Sequence, residues 1–359
     1  MSDSTHAPPG PTADARTGRP TFAPGSRVLV RAVLVAALAV LLALAGASVA
    51  VTAGAPMLGP GAAVEALRGL ADDSTANVVV RELRVPRLVL AAVGGAALGL
   101  AGALLQGGLR NPLAGPELIG VNAGAALVIG TLVIVGVPTA APALPVLALL
   151  GGLAGGAAVM AAAWRHADRG RVILVGAAVT AVLHATLFAV VASGAQYQLG
   201  VLFRFLLGSL ANLTWDEVRL PVTWSLMTVP LALAGARRLN LLRLPDDVAE
   251  QLGVNVARTR LLLIALAVAL IAPVVAVAGA IGWISLLSPH LVRQAAQTSD
   301  ARLVLPLTAL TGAALLIVTD QAARLVFRPL EVPVGSFTTL FGGVVLLVLL
   351  RRRLVTVRS

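Results

Sequence analysis

Long stretches of the chain contain almost no polar residue, and short polar breaks separate them. Apolar runs cover about residues 28–51, 86–107, 118–137, 143–163, 172–193, 220–236, 261–281, 283–292, 303–320 and 334–350. Roughly 20 apolar residues carry a helix across the hydrocarbon layer, and all of these runs except 283–292 approach that length. Inside lipid a backbone must pair its own N–H and C=O groups, so runs of this kind predict helices. A membrane barrel would instead show alternating segments of about ten residues, and none is visible. The pattern predicts an all-α, polytopic membrane protein with about ten transmembrane helices. A further short piece, 199–211, reads as a half-helix.

Two segments depart from the pattern. Residues 1–26 are rich in Pro, Gly, Ser, Thr and Ala without apolar periodicity, and read as a disordered cytoplasmic N-terminal tail ahead of a transmembrane domain over 27–359. The run beginning at 28 is too long for a signal-peptide core and lacks a cleavage site. The second departure is LNLLRLPDDVAEQLGVNVARTR, 239–260, a polar island between two apolar runs. Pro245 followed by Asp246 and Asp247 reads as a helix start, with acids favoured by the dipole at that end. Val248 and Leu252 share a face, and Gly253 stands where a C-terminal cap belongs. The spacing predicts a short amphipathic helix over 246–252, with Glu250 on its polar side. Its apolar face fits either the lipid headgroups or a groove on a protein partner.

Composition agrees with a membrane chain. Of 359 residues, 58% are hydrophobic and 12% charged, against about 25% charged in soluble domains; mean hydropathy is +0.93. The net charge is +11, and all 27 basic residues are Arg. They gather at the ends of apolar runs, as topology signals do, which is a better account of the charge than nucleic-acid binding. With both termini cytoplasmic, those left outside are Arg68, Arg81, Arg84, Arg87, Arg204, Arg219, Arg324 and Arg328; the rest, including the 239–260 island, fall inside. Arg84 and Arg87 in RELRVPR, and Arg324 in TDQAARLVF, therefore stand against the bias at the outer ends of their helices.

The absence of Lys removes the GK[ST] lysine of a phosphate-binding loop, so the chain is not itself a P-loop ATPase. The absence of Cys removes disulfides and thiolate metal sites. Among the histidines, His6, His166, His184 and His290, no HExxH or paired-carboxylate pattern is found, which speaks against a membrane-embedded enzyme, and no metal or cofactor site is expected. Asp320 is the one intramembrane acid; its i,i+4 spacing to Arg324 predicts a structural ion pair rather than a proton relay. Gly95, Gly99 and Ala103 recur every four residues, as do Gly151/Gly155 and Gly152/Gly156. Small residues so spaced let helix backbones approach closely, and packing is favoured here over a pore lining.

The segment RVPRLVLAAVGGAALGLAGALLQGGLRNPLAGPELIGVNAGAAL (84–127) resembles the signature region of the FecCD/BtuC-type permeases. LGVNVARTR (252–260), AGAIGWISLLSPHLVR (278–293) and PLEVPVGSFTTLFGG (329–343) match later blocks of that family in order, so the likeness covers about residues 30–353. Trp283 and Ser288 depart from the Phe and Val or Ile more often found there. The resemblance implies a type II, BtuC-like ABC importer fold of ten spans in the cytoplasmic membrane and a homodimer or pseudodimer with the path between subunits. It also implies an ATP-hydrolysing cytoplasmic ATPase on a separate chain and an extracytoplasmic substrate-binding protein. It implies that 239–260 couples to that ATPase, through Asp246, Asp247, Val248, Glu250, Leu252 and Gly253. It implies that arginines at the mouth (Arg84, Arg87 and, after the matched D…AR segment, Arg324) meet acids of the binding protein. FLLGSLANLT, with Gly208, Ser209 and Asn212, resembles the family's stretch beside the pathway. An iron(III)-siderophore complex is the expected cargo, with cobalamin or haem as alternatives. From another class, an ion-coupled secondary transporter would need discontinuous helices with acids at mid-membrane, which this chain nearly lacks.

Overall fold

A computed structural model describes residues 25–54, 57–71, 74–116, 119–139, 143–163, 169–193, 206–328 and 330–344. The N-terminal tail up to residue 24, the C-terminal residues from 345 and most of the 199–211 half-helix lie outside the described residues. Among them every regular element is helical. In chain order these are α1 (Ser26–Thr52), α2 (Pro60–Arg68), α3 (Ser74–Val78) running through a π-turn (Val79–Arg84) into α4 (Val85–Gly108), α5 (Val121–Val135), α6 (Leu144–Ala163), α7 (Arg169–Ala192), α8 (Trp215–Ala234), α9 (Ala236–Leu241), α10 (Asp246–Gln251), α11 (Val256–Ala278), α12 (Ile284–Ala296), α13 (Ala301–Val326) and α14 (Val334–Val344). Each apolar run falls on a helix. Six of these helices are long and apolar enough to cross a bilayer, and α5 and α14 are shorter apolar pieces. α2, α3 and α9 lie between the runs and carry too little hydrophobicity to stand out in the pattern.

The bundle is organised around α4 and α11, whose side chains are buried along most of their length, whereas α1 and α7 show most of theirs to the surroundings. On α1 the buried positions Ala32, Ala39 and Gly46 repeat every seven residues, giving a narrow seam of small side chains against α12 and α13; its leucines face outward. A helix apolar on all sides with so thin a buried seam suits lipid contact on the rest of its surface.

Glycine spacing sets how close the central helices come. A methyl group on Gly95 would collide with the Gly312 carbonyl of α13, one on Gly99 with the Thr308 carbonyl, and one on Gly102 with the Ser285 carbonyl of α12. Gly151 and Gly155 of α6 face Gly124 and Gly120 of α5 in the same way. Backbone rests on backbone at both seams, which is the packing the four-residue spacing predicts.

Candidate functional site

Three polar features interrupt the apolar bundle, and α4 reaches two of them. With 24 residues at about 1.5 Å each it is about 36 Å long, so Arg87 at its start and Arg110 just beyond its end belong to opposite ends of the bundle.

At the Arg110 end the polar island forms α10, bounded by Pro245 and by Gly253 at φ +81°. The Gly253 N–H donates to Glu250 O at 2.9 Å and the Val254 N–H to Ala249 O at 3.1 Å. This pair of bonds closes a helix C-terminus through a left-handed residue, and the cap expected at Gly253 is present. The helix is bolted to the bundle by one carboxylate. Asp246 meets Arg110 Nη2 at 3.3 Å through Oδ1 and Arg260 Nη2 at 3.3 Å through Oδ2. Arg110 Nε also donates to Leu242 O at 2.6 Å and Arg260 Nε to Gly108 O at 3.2 Å. Ala249 is fully buried beneath the helix, while Leu244, Val248 and Leu252 are 36%, 37% and 61% exposed. Asp247 and Glu250 are exposed as well. The result is a rigidly held knob with a partly apolar outer face.

The same end carries a second anchor. Asn240 Nδ2 donates to Asp300 Oδ1 at 2.6 Å, and the Arg302 N–H donates to the same oxygen at 2.9 Å, capping α13. Burial works against the Asp300 charge, but these hydrogen bonds and the Arg302 and Arg243 charges outweigh it, holding its pKa below the ordinary carboxylate value.

Away from α10, the chain from Leu206 crosses between the end of α11 and the start of α14. Gly208 sits at φ +67° with its Cα against the Ala280 carbonyl, so a side chain there would be both strained and obstructed. The Ser209 N–H donates to Ala278 O at 2.7 Å and the Gly335 N–H to Gly208 O at 2.9 Å. Beside this crossing lies a cavity of about 580 Å³ whose walls include Leu206, Leu207, Asn122, Trp283, Ser336 and Thr339, with no charged residue among them. Of the residues expected along the path, Gly208 and Ser209 have their backbone groups engaged in the crossing, Asn212 is exposed at φ 55°, and Leu206 and Leu207 contribute to the cavity wall. Asn122 Oδ1 is buried and finds no hydrogen-bond partner in the described protein, leaving an acceptor for a solute or water. Trp283 takes a left-handed φ of 67° and packs its indole on Gly342 and Gly343 of α14.

At the far end, Arg87 grips Asp320 with two bonds of 2.9 Å, from Nε and Nη2, and reaches Glu331 through Nη1 at 3.0 Å. This corrects the expected Asp320–Arg324 pair. Arg324 turns instead to the Ala53 carbonyl at 2.8 Å and stands 3.8 Å from Glu331. The reason is geometric: Arg87 lies across the α4–α13 seam from Asp320 and offers a two-pronged fit that a neighbour on the same helix does not. Arg84 is also not displayed as the sequence suggested. It is 4% exposed and its Nη1 donates to Val51 O at 2.5 Å. The three arginines are thus brought together, but as a ring tying α1, α4 and α13. Arg328 and Glu331 are exposed charges beside it. His184 lies on α7 with its ring 6.3 Å from that of Phe188.

A bundle of membrane-spanning helices, with a cavity that no charged residue lines among the described residues and a clamped polar knob at one end, defines a multi-pass transport protein. The FecCD transport family matches residues 38–352. Over 280 residues the chain is 39% identical to the hemin transport system permease protein HmuU of Yersinia pestis, covering 76% of this chain and 82% of that one. It is 34% identical over 349 residues to the Fe(3+)-citrate import system permease protein YfmE of Bacillus subtilis, covering 94% and 98%. Its fold matches a solved structure described as an inward-facing conformation of a metal-chelate type ABC transporter, at a TM-score of 0.79 and 28% identity over 89% of this chain and 99% of the other. The chain belongs to the FecCD transport family and is an ABC transporter permease.

Proposed function

We propose that the chain is the permease subunit of an importer in the cytoplasmic membrane, that it pairs with a second permease subunit, and that it moves an iron(III)-siderophore complex inward. The single observation that carries the reading is α10: a six-residue helix held by one carboxylate between two guanidiniums, with Val248 and Leu252 left exposed beside it. A helix so small contributes little to the fold, and its rigid attachment with an apolar outer face suits reception of force from a separate ATP-hydrolysing chain. Arginine placement supports an orientation with this end, and both chain termini, in the cytoplasm. The opposite end, with Arg87, Arg324 and Glu331 in its ring, faces an extracytoplasmic binding protein; Arg84 acts there by holding the turn after α1 rather than by touching the partner.

The cavity, which no charged residue lines among the described residues, supports the substrate class. A bare cation would require fixed charges or a ring of carbonyls, whereas a bulky chelate whose metal is already enclosed fits a wide, weakly polar passage. A haem-type chelate is the second reading, favoured by the likeness to HmuU.

The test replaces Leu252 and Val248 together with Glu. The double variant is expected to fold and insert normally, to lose co-purification with its ATPase, and to abolish uptake of iron-loaded siderophore in a permease-deleted strain. Retained ATPase association would remove the assigned role of α10. Uptake of haemin but of no siderophore across a substrate panel would move the reading to the second chelate.

A further inference from the structure

The ends of α4, α9, α12 and α13 enclose a second cavity, about 310 Å³, beside α10. Its polar lining is Gln106, Arg110, Arg243, Arg293 and Ser299, and no Asp or Glu is among its lining residues. Three guanidiniums from three separate parts of the chain thus meet around one small space.

Each is held in place by acceptors on the protein. Arg110 is fixed by a left-handed backbone at φ 45° and by its Nε bond to Leu242 O at 2.6 Å; a non-glycine residue in that region is strained and persists only where its surroundings impose it. Arg243 donates to the Ser299 carbonyl, and Arg293 donates to the Gln106 side chain. Arg243 stands at the exposed side of the space, and partial burial lowers its pKa although the Asp300 charge pulls the other way. Asp246 sits behind the wall, one oxygen 3.3 Å from Arg110 Nη2 and the other 3.3 Å from Arg260 Nη2, and Asp300 is engaged in the cap of α13.

Planar guanidinium forks match the oxygens of a phosphate group. The space is several times the roughly 30 Å³ share of one water, enough for a phosphate with a small substituent. Basic pockets between spanning helices at the cytoplasmic side are where anionic headgroups are recognised. We propose that this cavity binds a phosphate-bearing anion, and that the bound anion ties the end of α4, the segment leading into α10, and α12 into one unit. The anion is the phosphodiester of an anionic lipid headgroup or a free phosphate; the chemistry of recognition is shared.

The full chain is reconstituted in nanodiscs and its thermal unfolding followed, so the result does not depend on transport or on the ATPase. In one arm, phosphatidylcholine discs are titrated with inorganic phosphate against sodium chloride of equal ionic strength. In the other, discs of phosphatidylglycerol and phosphatidylcholine are compared with pure phosphatidylcholine in phosphate-free buffer. At least one arm raises the unfolding midpoint above its control. R243Q and R293Q each weaken the apparent affinity by about tenfold, the worth of one charge-assisted hydrogen bond, while R258Q, outside the cavity, leaves it unchanged. R243K and R293K, which keep the charge and lose the fork, give intermediate responses and serve where the neutral variants do not fold. A response to phosphate alone identifies the free ion, and a response to phosphatidylglycerol alone identifies the lipid. No excess over control in either arm overturns the proposal, as does an undiminished response in the Arg243 and Arg293 variants. Loss of ATPase association in those variants, with no anion response in the unsubstituted chain, also overturns it and assigns the cavity to an acidic side chain of the partner.

Discussion

Replacing Asp246 with Asn keeps the shape of the side chain and removes the charge that bridges Arg110 and Arg260. Two limits bound the effect. Exposed ion pairs are worth about 0–1 kcal/mol, and breaking a buried pair costs about 3–5 kcal/mol. Here Asp246 is 42% exposed and Arg260 only 4%, and both contacts are 3.3 Å rather than the shorter distance of a strong charged bond. The expected loss is therefore about 1–2 kcal/mol, which multiplies the open population of α10 by about 5–30. Hydrogen exchange reads this directly, because the Gly253 and Val254 amides are protected only while the α10 cap is closed. In D246N those two amides exchange about 5–30 times faster, while the α11 core amides near Leu270 keep their rates. R260Q reproduces the effect, and the double variant adds little, since the two residues share one interaction. Unchanged exchange at Gly253 and Val254 in both single variants would refute the claim that this carboxylate fixes the helix.

Other outcomes follow from the remaining polar anchors. R87Q leaves Asp320, 1% exposed, without its two-pronged partner and is expected to destabilise the protein by about 3–5 kcal/mol; adding D320N should recover most of the loss, and a lack of recovery in the unfolding midpoint would show that the pair is not the cause. Asp300 has a lowered pKa in the fold, so its contribution is complete above the unfolded value of about 3.9 and is lost as the pH falls through the lower folded value. The acid limb of a stability profile should therefore flatten in D300N, and an identical limb would show that the cap contributes nothing there.

The helical architecture was legible because lipid leaves a chain few options: long apolar runs must pair their own backbones, and each run falls on a helix. α10 was legible for a different reason, since a Pro, two acids and a Gly are local signals that act within one turn. The α4–α13 seam was half legible. Gly95 and Gly99 announced a close approach, but their partners Gly312 and Thr308 lie more than two hundred positions further on, and only folding brings them together. The same distance hid the Arg87–Asp320 pair, where local spacing pointed to Arg324 instead. Arg110 and Arg260 carried no signal as a clamp, because their shared carboxylate comes from a separate helix. The cavity beside the Gly208 crossing was invisible for the same reason, being walled by residues from four separated stretches.

The placement of glycine on α4 has a mechanical consequence. Gly95 and Gly99 lie near the midpoint of the helix, where backbone rests directly on α13, while Arg87 and Arg110 sit near its two tips. A rod about 36 Å long that pivots at its centre by roughly 5° swings each tip by about 1.5 Å in opposite senses. That swing is half the length of the 2.9 Å bonds between Arg87 and Asp320. A lever with its fulcrum at the glycines would therefore carry a push at one membrane face to the grip of an arginine at the other without bending.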